Sequence, residues 1–116
     1  MTRTRLPDRR ELDAFVFDIG GLKFRVAIGR FPHNNEISEI FIDAVKPGKP
    51  DALAYVMAKD AAVVFSIARQ FGTPLEAITS ALLKNEDGKA AGPLGRALQI
   101  AEELRKNSPP TLKVVP

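Results

Sequence analysis

The chain predicts an α+β fold, a three-stranded antiparallel sheet followed by three helices, the first helix long and central. Three observations predict it. Two stretches of apolar–polar alternation meet at Gly20-Gly21, a two-residue hairpin signal. A third alternating stretch follows, and after it the apolar period changes from about 2 to about 3.6 residues and stays there. Strands segregated ahead of helices in this order pack as a sheet with helices on one face.

Residues 1–11 hold threonines, arginines and Pro7 without periodicity and read as a flexible basic arm. Phe15, Phe17 and Ile19 form one face of the first strand. Leu22, Phe24, Val26 and Ile28 then alternate with Lys23, Arg25, Ala27 and Gly29, a half-buried strand with one wet face. Gly29 marks a bulge or a close approach. Pro32-His33-Asn34-Asn35 reads as a turn, because Asn tolerates left-handed backbone cheaply. In residues 37–45, Ile40, Ile42 and Ala44 oppose Glu39, Phe41 and Asp43 as a third strand. The Lys-Pro-Gly-Lys-Pro run at 46–50 breaks the pattern, and Asp51 is placed to cap the next helix.

That helix, residues 51–72, organises the chain. Leu53, Val56, Met57, Ala61, Val64, Ile67, Ala68 and Phe71 recur at three- and four-residue steps, as one helical face requires. Ala58, Ala62, Val63 and Phe65 widen the apolar sector. Tyr55, Lys59, Ser66, Arg69 and Gln70 are left as a polar strip. The pattern predicts the large residues inward and the strip outward, with the helix between the sheet and other helices. Asp60 falls at the centre of the apolar face. A buried carboxylate must be paired, hydrogen-bonded or protonated, so Asp60 reads as a buried polar anchor or a ligand-contacting carboxylate. Arg30, or backbone N–H groups around Pro93 and Leu94, are its candidate partners. A helix apolar on so many sides exceeds what three strands and two short helices cover, so a homo-oligomer is expected.

Gly72 stops this helix. Thr73-Pro74-Leu75-Glu76 reads as a capping box with proline at the first helical position. It opens a second helix running to about Lys84 and burying Leu75, Ile78 and Leu82. Residues 85–88 form a turn. Gly92-Pro93 opens the third helix, with Leu94, Ala97, Leu98, Ala101 and Leu104 at helical spacing. Ser-Pro-Pro at 108–110 ends it. The folded domain is thus residues 12–106, between the arm at 1–11 and a proline-bounded tail at 107–116.

Composition narrows the function classes. At 116 residues the chain is one domain, with an apolar share of 45% and a charged share of 27% as in ordinary soluble proteins. No apolar run reaches the roughly 20 residues of a membrane span, and the arginine-rich start has no apolar segment behind it, so a cytoplasmic protein is expected. With no cysteine and one histidine, disulfides, thiolate chemistry and His/Cys-rich metal centres are outside its means. No cofactor or metal is expected. The net charge of +3 belongs to residues 1–10, where Arg3, Arg5, Arg9 and Arg10 face only Asp8; the other 106 residues balance, 13 basic against 13 acidic.

The order of several segments resembles a known family. Val26-Ala-Ile-Gly-Arg-Phe31, Glu39-Ile-Phe-Ile42 and Lys46-Pro-Gly48 come first. Lys59-Asp-Ala-Ala62, Ser66 and Phe71-Gly-Thr-Pro-Leu75 follow. Over residues 14–104 this series resembles the TSCPD domain family, found alone and as a C-terminal extension of class II, adenosylcobalamin-dependent ribonucleotide reductases. The resemblance implies a role connected with ribonucleotide reduction and deoxyribonucleotide supply. The Thr-Ser-Cys-Pro-Asp segment that names the family precedes its last helix. Here that place reads Lys89-Ala-Ala-Gly-Pro93, so no thiol role carries over. The chain is also too short for the reductase's catalytic barrel.

No catalytic set is evident. His33 sits in a turn without a partner, a base needs one, and the turn reads as solvated. Glu86-Asp87 and Glu102-Glu103 are sequence neighbours, which diverge on a helix. Residues 88–95 are glycine-rich ahead of a helix start but lack the Lys-Ser/Thr of a phosphate loop. The arm is the stronger candidate for ligand contact. Arg3, Arg5, Arg9 and Arg10 would contact nucleotide or nucleic-acid phosphates without reading sequence, and Arg25 and Arg30 would extend the patch. The expected function is therefore a non-catalytic, TSCPD-like accessory or binding module of ribonucleotide reduction, with a nucleotide, a nucleic acid or the reductase as partner. The alternative is a small nucleic-acid-binding protein using its arginine arm.

Overall fold

A computed structural model of the protein describes residues 2–6, 12–45 and 52–107. Three antiparallel strands, β1 (Asp13–Ile19), β2 (Leu22–Arg30) and β3 (Ile37–Ala44), form a sheet in the order β1-β2-β3. Three helices follow: α1 (Ala52–Gln70), α2 (Leu75–Ala81) and α3 (Pro93–Asn107). The fold is α+β with the longest helix first, as the periodicities predict. The residue-51 cap, the 46–50 breaker, residues 108–116 of the tail and arm residues 7–11 lie outside the described residues, and Asn107, expected to open the tail, ends α3.

Cross-strand pairs set the core face of the sheet. Phe15 stands opposite Val26, Phe17 opposite Phe24, Val26 opposite Ile42 and Ile28 opposite Ile40. All are buried, and the Phe17 and Phe24 rings stack at 5.6 Å. Val16, Lys23, Arg25, Phe41 and Asp43 occupy the exposed face. The hairpin turn needs left-handed backbone at both central positions, and Gly20 and Gly21 supply it at φ 58° and 80°. At Gly29 both sequence alternatives hold. The β2–β3 register shifts between Gly29 and Arg30, and a Cβ at Gly29 would stand 2.6 Å from Glu39 Cγ.

The orientation of α1 reverses the expected one. Ala58, Ala62 and Phe65 face the core, together with Arg69 and Gln70, each no more than 6% exposed. Leu53, Met57 and Val64 stand 69%, 62% and 67% exposed, and Asp60 is exposed among them. Asp60 does lie at the centre of the large-residue stripe, but that stripe faces outward. The buried-anchor placement of Asp60 is therefore corrected, and with it the partnership with Arg30 or with the start of α3.

The cause is the unpaired edge of β3. A strand edge carries N–H and C=O groups that need partners when covered. Ile40 donates its N–H to Ser66 Oγ at 2.9 Å, and the same hydroxyl donates within reach of Ile40 O and Ala62 O. Arg69 Nε donates to Ile37 O at 2.7 Å and Gln70 Nε2 to Ser38 O at 3.4 Å. Ala58 and Ala62 let the helix come close enough for these bonds. A face of Leu, Met and Val would hold it off and offer nothing to the edge.

Gly72, at φ 100°, ends α1 with paired bonds from Gly72 N to Arg69 O and from Thr73 N to Ala68 O, the two bonds of a Schellman motif. The predicted capping box at Thr73 is not made. Pro74 is the N-cap of α2, without a side-chain capping bond. The helix also ends at Ala81 rather than near Lys84, because Leu82 turns extended and the chain closes a short Lys84–Ala90 bridge. None of α2 is fully buried; Leu75 and Ile78, with Leu82 just beyond it, pack half-buried against the core. α3 buries Ala97, Leu98 and Ala101. Gly95 lets it approach the preceding loop, since a Cβ there would stand 2.8 Å from that of Ala90.

This geometry makes opposite predictions for neighbouring helix positions. Ser66→Ala strands the buried Ile40 N–H, and urea unfolding should show a loss of about 1–3 kcal/mol. Asp60→Asn changes an exposed residue and should stay within about 0.5 kcal/mol of the parent.

Candidate functional site

The described part of the arm converges on the C-terminal end of α1. Thr4 donates its N–H to Gln70 O at 2.6 Å, and Arg3 Nε donates to Gln70 Oε1 at 2.7 Å. Gln70 thus ties the arm through its backbone and side-chain oxygens while its amide nitrogen reaches β3. Arg3, Arg5 and Leu6 line an open groove of about 970 Å³ with Phe41, Val63 and Ile67. Two guanidinium groups, one of them anchored on Gln70, flank a floor of mixed character that also includes Glu39 and Ser66.

The other predicted arginines do not join this groove. Arg9 and Arg10 lie outside the described residues. Arg25 is exposed on the outer sheet face, opposite Asp43 in the β2–β3 register. Arg30 is engaged structurally, 3.5 Å from Asp13 Oδ2 and donating to Asn35 O at 3.2 Å. The proposed extension of the arm patch through Arg25 and Arg30 is therefore not assembled among the described residues. Asp60 faces outward, away from the sheet.

Arg69 is a charged group that sequence reading missed, having been placed on the outer strip. It is 5% exposed. Besides Ile37 O it reaches Thr73 O at 2.8 Å and Glu36 Oε1 at 3.0 Å, and its guanidinium lies 5.5 Å from the Phe31 ring centroid. A planar fork with several donors suits this task, which a lysine ammonium would not perform. The signal available in sequence was the spacing of Ser66, Arg69 and Gln70 on one helical face beside two alanines.

The remaining polar candidates have local roles. The His33 ring packs 5.4 Å from that of Phe31. Asp87 accepts from Lys89 N–H, while Gln99 accepts from Ala90 N–H and donates to Gly88 O. The glycine-rich segment is thereby held as a turn against α3. Glu102 pairs with Arg105. A second groove between α2 and α3 mixes signs, with Lys84, Lys89 and Arg96 against Glu76, Asp87 and Glu102. Among the described residues no group of three metal-ligating side chains is assembled, and no helix is long and apolar enough to cross a membrane. Comparison of the chain with protein-family models, with curated proteins and with solved structures finds no match.

Asp43 has a shifted titration. Its carboxylate accepts the Ala44 N–H at 2.8 Å, and Lys59 Nζ lies 3.4 Å away. The backbone bond foremost, helped by Lys59 and Arg25, holds its pKa below the ordinary value against an opposing desolvation that ranks second among the causes. A carboxylate lowered in the folded state stabilises above its unfolded pKa, and that stability is lost as pH falls through the folded value. Asp43→Asn should therefore cost up to about 1 kcal/mol at neutral pH, given an exposed, screened cluster. In acid unfolding the difference from the parent should vanish below the carboxylate range.

Proposed function

We propose that the chain is a non-catalytic accessory module of ribonucleotide reduction and deoxyribonucleotide supply, related to TSCPD domains, which works by binding and self-association. The observation that carries the binding half is the outward face of α1, where Leu53, Val56, Met57, Val63, Val64 and Ile67 stand exposed while Ala58, Ala62 and Phe65 face the core. Soluble domains place such a face at an interface. The polar side chains that could serve chemistry are largely engaged by the fold: Ser66, Arg69 and Gln70 on β3 and Arg30 on Asp13. The connection to ribonucleotide reduction is supported by the ordered segments from Val26 to Leu75. Cytoplasmic residence follows from that role.

The test is direct binding to an adenosylcobalamin-dependent ribonucleotide reductase from the same cell. The expected result is a complex by size exclusion and a change in reductase turnover or effector response on adding the protein. Absence of a complex, together with unchanged deoxyribonucleotide pools on deleting the gene, would refute the reading.

A further inference from the structure

We propose that the outer face of α1 packs on the same face of a second copy, antiparallel, about a two-fold axis at Asp60. The inference rests on the self-association part of the reading above and specifies its geometry. The carrying observation is a palindrome of spacing. Leu53, Val56 and Met57 stand seven, four and three positions before Asp60, and Val63, Val64 and Ile67 stand three, four and seven after it. All six are among the exposed large hydrophobic residues, and Asp60 is exposed between them. A two-fold through Asp60 therefore lays Leu53 on Ile67 of the second copy, Val56 on Val64 and Met57 on Val63. A parallel pair matches like with like for any sequence and needs no such symmetry. An antiparallel pair needs apolar residues at equal distances on both sides of its axis, and this spacing, the ordinary one of an apolar helical stripe, provides them for an isologous contact.

The exposed area agrees with this occupant. With Phe71 at the end of the stripe and Phe41 beside Val63 and Ile67, the face exposes on the order of 800 Å², about what each partner contributes to a standard-size interface. The largest patch of an ordinary monomer is about 300–600 Å². Antiparallel helices also oppose their dipoles favourably. At the axis two Asp60 carboxylates meet, a like-charge cost that the adjacent Lys59 ammonium groups, each shared with its own Asp43, offset only in part. Each Lys59 already lies 3.4 Å from its own Asp43. One polar position inside an apolar helix seam specifies register at some cost in affinity, and Asp60 fills that role.

The absence of cysteine makes the geometry readable by single-cysteine cross-linking. On mild oxidation, Asp60→Cys should link to itself, and Leu53→Cys mixed with Ile67→Cys should link as a mixed pair in preference to either alone. Leu83→Cys, on an 81%-exposed residue off this face, should not link. By sedimentation, Val64→Arg should weaken association at least tenfold with unchanged circular dichroism, and Asp60→Leu should strengthen it. A dimer indifferent to Val64→Arg, or preferential self-linking of Leu53→Cys, would overturn the antiparallel seam while leaving self-association standing. A monomer at every concentration with no links would overturn both, the face then being covered by another segment of the chain or by a foreign protein.

Discussion

The free edge of β3 is the constraint on which the rest of the structure depends. A three-stranded sheet leaves two edges, and an edge covered by a helix must have its backbone groups satisfied by that helix's side chains. Ser66, Arg69 and Gln70 do this at Ile40, Ile37 and Ser38. Arg69 also ties in Glu36 and Thr73, so the start of β3 and the exit from α1 are held by one guanidinium. Gln70 extends the same cluster to Arg3 and Thr4. Helix, strand and arm are joined at one end of the molecule.

The surface follows from that arrangement. Once Ser66, Arg69 and Gln70 with Ala58 and Ala62 face the sheet, Leu53, Val56, Met57, Val63, Val64 and Ile67 have nowhere to point but outward. Burying them in a partner recovers free energy that the monomer forgoes, at about 25 cal/mol per Å² before the costs of association. The edge-capping requirement and the exposed apolar stripe are two sides of the same helix. A chain that satisfies β3 with small and polar residues leaves its bulk available for association.

Much of the fold was legible in the chain because period and punctuation agreed. The alternation of Phe15 through Ile28, Gly20-Gly21, Gly72 and Gly92-Pro93 each marked its element or turn, and Gly29 marked its bulge. The face of α1 was not legible by hydrophobicity alone. The moment of the helix points along the large residues, whereas the sheet edge selected the face that could hydrogen-bond. Ser66, Arg69 and Gln70 reveal this only when a strand edge is known to need them. Thr73 followed by Glu76 resembled a capping box, but Pro74 at the cap position took its place without a side-chain bond. Of the candidate site, Arg3 and Arg5 are legible as part of the cluster with Arg9 and Arg10, while the convergence of these two with Phe41, Val63 and Ile67 depends on contacts distant in sequence. Asp60 was located at the middle of its stripe correctly and on the wrong side of the helix.

The most direct test of this account is amide hydrogen exchange at Ile40. Its N–H points away from β2, so only the Ser66 hydroxyl protects it. The account predicts slow exchange in the native protein, comparable with amides paired between β2 and β3, and rapid exchange in Ser66→Ala at the same position. An Ile40 amide that exchanges like an uncovered strand edge in the native protein would show that α1 does not cap β3 and that its orientation has another cause.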